Sequence, residues 1–151
     1  MSFRSYAPRS LRSSPLGDAL PRRELNRLDS LGTSIEIGAG KQIIRQSSVG
    51  RECFVVIDGE FAVTGSGFTG AIGSGEIAGE LALLTGLPRN ASVASAADSV
   101  VYAFHPQEFA TLLSEAPTFR NRVLRSASKR LGSEQVLLPA QLLPGHERPR
   151  R

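Results

Sequence analysis

The sequence predicts a mainly β fold with flanking α-helices, its strands antiparallel and arranged as a sandwich or barrel. Three observations carry that prediction. A chain of 151 residues with 40% hydrophobic content supports one modest core and is too short for two ordinary domains. Fifteen Gly set against seven Phe, two Tyr and no Trp mark many turns and small side chains, which suits a sheet better than a helical bundle. Across residues 33–74, short apolar runs are broken by turn residues roughly every eight to twelve positions, as in a meander of antiparallel strands.

In chain order, residues 1–17 (MSFRSYAPRSLRSSPLG) are rich in Arg, Ser and Pro and bury too little apolar surface to order themselves, so a disordered tail is expected. Leu20, Leu25, Leu28 and Leu31 recur at helical spacing, with Asp18 as a cap and Pro21 in the first turn. They predict an amphipathic helix over about 19–31, stopped by Gly32. Ile35 and Ile37 alternate with polar neighbours, Gly38-Ala39-Gly40 turns, residues 42–45 resume a strand, and residues 47–50 turn again. Residues 53–57 form the most apolar run. Asp58-Gly59 then gives the strongest hairpin signal, leading into Phe61-Ala62-Val63.

Residues 91–93 and 100–104 read as two further strands. Pro106 starts a helix with Phe109, Leu112 and Leu113 on one face, ending near Pro117. A second helix from Thr118 is expected to bury Phe119, Val123, Leu124, Ala127 and Leu131, weakened by Gly132 and ended by Pro139. The domain is thus expected over residues 18–138, with 139–151 as a disordered basic, Pro-rich tail.

Composition narrows the function classes. No apolar run approaches the roughly 18 residues needed to cross a bilayer, and the Arg/Ser-rich start lacks the apolar stretch of a secretory signal, so a cytoplasmic location without a membrane segment is expected. Cys53 is the single cysteine, which excludes an internal disulfide or a zinc cluster, and its apolar surroundings predict a buried, inert thiol. His105 stands alone before a helix and His146 lies in the tail, so no metal site is expected. No grouping of nucleophile, base and orienting acid is visible, so the chain is not expected to be an enzyme and no catalytic residue is assigned. The net charge of +4 resides in the termini and in residues 118–131. There Arg120, Arg122, Arg125, Lys129 and Arg130 occur with no acid, and a solvated helix face is the expected role.

Residues 75–93 interrupt the strand pattern. A Gly-rich approach through Gly73, Gly75 and Gly79 leads into Glu80-Leu81-Ala82-Leu83-Leu84, one or two turns of helix, then Thr85-Gly86-Leu87-Pro88 and Arg89. Glycines before a helix bring backbone N–H groups against an anion, and the helix start adds partial positive charge. Arg89, returned by the Gly-Pro turn, offers a planar fork to phosphate oxygens. A carboxylate at Glu80 repels a phosphate unless the ligand also donates a hydrogen bond, as a sugar hydroxyl does. Arg and Glu together therefore indicate a ribose phosphate.

The run GEIAGELALLTGLPRNASV, following short strands that include Gly59, resembles the phosphate-binding cassette of the cyclic nucleotide-binding domain family, of the catabolite activator protein and cAMP-dependent kinase regulatory subunit type. The resemblance covers about residues 20–138. It implies an eight-stranded antiparallel jelly-roll barrel with an N-terminal helix and two C-terminal helices. It also implies that Gly79, Leu81 and Ala82 lie along backbone facing phosphate and ribose, that Glu80 holds the ribose 2′-hydroxyl, and that Arg89 pairs with an exocyclic phosphate oxygen. Asn90 and Ala91 complete the phosphate shell through backbone N–H groups; Asn90 departs from the small residue or Thr more common there. Glu134 and Gln135 on the last helix are candidates for the base edge.

The implied ligand is cAMP or cGMP, with no cofactor. The function expected from this reading is a stand-alone sensor, monomer or weak dimer, that repacks its last helix on binding and signals to a protein effector. No helix-turn-helix DNA-binding domain is recognisable in the chain. The rivals are a ligand-free interaction module of the same fold and a DNA-associated regulator acting through basic termini.

Overall fold

A computed structural model describes residues 10–134. The chain runs α1 (Leu16–Ala19), α2 (Arg22–Leu31), β1 (Thr33–Ile37), β2 (Gln42–Ile44), β3 (Cys53–Asp58), β4 (Glu60–Gly65), β5 (Phe68–Gly73), β6 (Ile77–Ala78), α3 (Glu80–Thr85), β7 (Ala91–Ser95), β8 (Ser99–Phe104), α4 (Pro106–Glu115) and α5 (Pro117–Glu134). The eight strands form two four-stranded antiparallel sheets, ordered β1-β8-β3-β6 and β2-β7-β4-β5. This is the jelly-roll arrangement, with helices at the flanks.

Burial explains the strand patterns. In β3, Cys53, Val55 and Ile57 face a cluster shared with the helices, whereas Phe54 and Val56 face the space between the sheets. A strand buried on both faces reads as a continuous apolar run, and β8 does the same through Val100, Tyr102 and Phe104 on one side and Val101 and Ala103 on the other. In β4 only Phe61 and Val63 are buried, so its sequence alternates.

Several expectations are corrected. Asp58-Gly59 is not a hairpin: β3 pairs with β6 and β8, β4 with β5 and β7. Gly59, at φ +134, instead carries the chain from one sheet to the other, so close to β8 that a Cβ there would meet Ser99 Oγ at 1.9 Å. The two-residue hairpin is Ser66-Gly67, which joins β4 to β5 with Gly65 opposite Phe68. The early helix is broken at Leu20, which is extended, so Asp18 lies within α1 and Pro21 precedes α2. Residues 10–17, expected to be tail, pack onto the body: Leu11 and Leu16 are buried in the helix-side core. Those two leucines supply the apolar anchor that the segment's overall composition concealed. Leu124, expected in the core, is exposed, because α5 turns Phe119, Val123 and Ala127 inward. The tail assigned to residues 139–151 lies outside the described residues.

The start of α5 is fixed from α2. The buried Glu24 carboxylate accepts from the Thr118 and Phe119 N–H groups at 3.0 and 2.8 Å, satisfying two donors that a helix start leaves unpaired. Glu24→Ala is expected to lower stability by about 1–2 kcal/mol. Urea unfolding monitored by circular dichroism checks this.

Candidate functional site

The site is built on the turn between β6 and α3. Gly79 caps α3 in the left-handed region at φ +86, and a Cβ there would lie 2.6 Å from Arg89 Nη1. Glycine is therefore required twice, for the backbone angle and for the closeness of the arginine. Gly86, at φ +75, ends α3, and the chain returns through Pro88 to Arg89. The Arg89 backbone is pinned to the preceding loop, its C=O accepting from Ser47 N–H at 2.7 Å and its N–H donating to Ser48 O at 2.8 Å.

The Arg89 side chain is buried, and its fork donates to Gly79 O at 2.8 Å and Glu52 O at 2.6 Å. Burial pushes the guanidinium below its usual pKa, against the raising influence of Cys53, Glu52 and Glu80. Arg89, Gly79, Leu81, Ala82, Asn90 and Ala91 line one small cavity of about 30 Å³, so six of the nine expected ligand residues come together there. α3 has only six residues, and Arg89 and Arg130 are the cationic side chains that line the small cavity.

Glu80 is turned away from this cavity. Its carboxylate, wholly buried, accepts from Ser126 Oγ at 2.7 Å and pairs with Arg130 Nη1 at 3.5 Å. Arg130 also donates to Ile77 O at 2.6 Å. The cassette acid is thus fastened to α5. Cys53 lies within the electrostatic reach of Glu80, and burial first, then that carboxylate, raises its thiol pKa well above the ordinary value. The thiol stays protonated and unreactive.

A second cavity, of about 420 Å³, opens between β5 and α5 and shares Val63 and Arg130 with the first. Arg122, Arg125, Ser126 and Lys129 line its α5 side. These cavity residues, together with the Glu52 carbonyl, were not anticipated. The signal is present in the sequence: positions 122, 125, 126, 129 and 130 fall on one helical stripe, but a basic stripe by itself has the pattern of a solvated face. Glu134 ends α5 as its last described residue, and Gln135 lies outside the described residues.

The fold is a jelly roll whose cassette, residues 79–91, sets a buried arginine at a small cavity that it shares with Arg130 of α5. The chain belongs to the cyclic nucleotide-binding domain family, whose description matches residues 34–116. It is 29% identical over 96 residues to a cyclic nucleotide-gated potassium channel of Rhizobium etli, covering 64% of this chain and 27% of the channel. It is 30% identical over 97 residues to a like-named channel of Mesorhizobium japonicum, with the same coverage. The chain thus spans about a quarter of the length of these relatives. Among solved structures it resembles the catabolite activator protein of Thermus thermophilus, at a TM-score of 0.67 and 25% identity, covering 82% of this chain and 61% of that one. A structure titled for a cyclic-GMP-dependent signalling pathway in bacterial phytopathogenesis matches at a TM-score of 0.63 and 26% identity, covering 76% and 95% of the two chains. Among the described residues no helix is long and apolar enough to cross a membrane.

Proposed function

We propose that this cyclic nucleotide-binding domain is a sensor in which the ligand's ribose takes Glu80 away from α5. The observation that carries this reading is the engagement of the buried Glu80 carboxylate by Ser126 and Arg130 of α5. In the proposal the cyclic phosphate opens the small cavity and pairs with Arg89, the ribose 2′-hydroxyl donates to Glu80, and the base enters the larger cavity. Glu80 has to loosen its hold on Ser126 and Arg130 to accept the sugar, so α5 repacks. That repacking is the signal to an effector. A ligand shifts such an equilibrium only as far as its affinities for the two states differ, and the competition for one carboxylate supplies that difference. The names of the channel relatives, which join nucleotide binding to gating, support a regulatory role.

Two outcomes test the proposal. Saturating cAMP or cGMP at about one hundred times its Kd is expected to stabilise the domain by about 2.7 kcal/mol, read as a rise in Tm. Ser126→Ala removes one competitor for Glu80 worth about 1 kcal/mol, so binding is expected to tighten roughly fivefold, measured by equilibrium titration. Unchanged or weaker binding in that variant refutes the competition. The small volume beside Arg89 favours a second reading, an interaction module that binds no nucleotide, and an unchanged Tm at millimolar ligand selects it.

A further inference from the structure

We infer that the cavity of about 420 Å³ between β5 and α5 takes a phosphate group of its own, beyond the cyclic phosphate assigned to Arg89. This goes beyond the placement proposed above and rests on it only in giving the cyclic phosphate to Arg89. Arg122, Arg125, Lys129 and Arg130 line the α5 side of the cavity, and α5 carries no acid between Pro117 and Ser133. Like charges three and four residues apart on a helix repel one another. Part of that charge is already met. Arg130 pairs with Glu80, and Lys129 has an interaction of its own. Glu76 brings a carboxylate to the lining, and its Oε1 accepts from Gly73 N–H at 2.7 Å. Arg122 meets only a carbonyl, Gly75 O at 3.3 Å, which accepts a hydrogen bond without cancelling charge. Arg125 is exposed and has no hydrogen bond or ion pair among the described residues. By contrast, the exposed Arg27 on α2 is matched by Glu115 at 2.7 Å.

Arg122 and Arg125 stand three residues apart on one helix face, and neither lines the small cavity beside Arg89. A cyclic mononucleotide carries its single negative charge on the phosphate, which Arg89 takes, so these two guanidinium groups remain unmatched when such a ligand is bound. Each offers five N–H donors and no acceptor, and a phosphate oxygen accepts from such forks in charge-assisted pairs. Ser126, also in the lining, gives its hydroxyl proton to Glu80 at 2.7 Å and is not needed for the anion. Volume permits the second group. A cavity of roughly 150 Å³ holds a benzene ring, so one of about 420 Å³ has room for a phosphate beside a base. That phosphate has two possible sources, a second phosphate of the same molecule, as in a cyclic dinucleotide, or a free phosphate bound beside the nucleotide.

The test is calorimetric titration of the chain, in phosphate-free buffer, with cGMP, cAMP, cyclic di-GMP, cyclic di-AMP and inorganic phosphate. If the second phosphate belongs to the ligand, a cyclic dinucleotide is expected to bind about tenfold or more tighter than the mononucleotide of the same base. Replacing Arg122→Gln and Arg125→Gln together is then expected to cut that ratio about tenfold. If the phosphate is a separate ion, inorganic phosphate is expected to bind the native chain at millimolar concentration and about tenfold more weakly in the double variant. Arg125→Gln alone replaces an exposed side chain that holds no partner, so it keeps the fold and is expected to show roughly a threefold loss in the same readout. Mononucleotide binding with no dinucleotide advantage and no phosphate binding overturns the inference and leaves nucleotide binding standing. A dinucleotide advantage or a phosphate affinity that both variants retain in full also overturns it. Phosphate binding lost in the double variant, with no cyclic nucleotide bound, upholds the site and refutes the proposal beneath it. Absence of binding by every probe overturns both.

Discussion

Arg89→Ala is expected to weaken cyclic nucleotide binding by about 2–3 kcal/mol, roughly thirtyfold to more than a hundredfold. The buried guanidinium is the cation at the small cavity that is not tied to Glu80, and its orientation is set by Gly79 O and Glu52 O. Alanine removes the charge-assisted contact and leaves those two carbonyls without their donor, so some loss of fold stability accompanies the loss of affinity. Arg89→Lys separates the two effects. It keeps the charge but cannot fork to both carbonyls, so it is expected to retain more stability than alanine and still lose most of the affinity. Titration of both variants, with urea unfolding as the control for folding, checks this. Full affinity in either one places the phosphate elsewhere.

Glu80→Ala is expected to act on two observables. A site built around a hydroxyl partner rejects the analogue lacking it. The native chain is therefore expected to prefer ribose over 2′-deoxyribose cyclic nucleotide by about 1.5–3 kcal/mol, roughly tenfold to a hundredfold, and the variant to lose that preference. The same change detaches α5: Ser126 loses its acceptor and Arg130 its carboxylate. Arg130 is about a quarter exposed and can turn to water, so the loss of stability is expected near 1–3 kcal/mol, below that of a fully buried pair. Equal loss of affinity for both sugars contradicts the role given to Glu80.

The barrel was legible where burial imposes period. β4 alternates because one face is buried, and β3 and β8 read as continuous runs because both faces are. Pairing was less legible. Asp58-Gly59 carries a hairpin signature, but its glycine is needed for φ +134 and for the approach to Ser99, so the local chemistry matches while the topology differs. β5 escaped notice because it is a Gly-containing edge strand with Ile72 as its one fully buried residue, and such a strand lacks the apolar pattern that marks its neighbours. Leu11 and Leu16 were hidden by their Arg/Ser/Pro surroundings, since composition averages over anchors.

For the candidate site, the closeness of Gly79, Leu81, Ala82, Arg89, Asn90 and Ala91 was readable, because they lie within one short stretch that turns back on itself. Ser126 and Arg130 were not, because they reach Glu80 across 46 and 50 positions. Only the fold brings α5 over the cassette, and a basic helical stripe alone does not distinguish a cavity wall from a solvated face.

The most direct test of the central claim is calorimetric titration of the unmodified chain with cAMP and cGMP up to millimolar concentration. Saturable heat at one ligand per chain, with a preference for ribose over 2′-deoxyribose, is the expected result. No heat and no change in Tm with either nucleotide contradicts it.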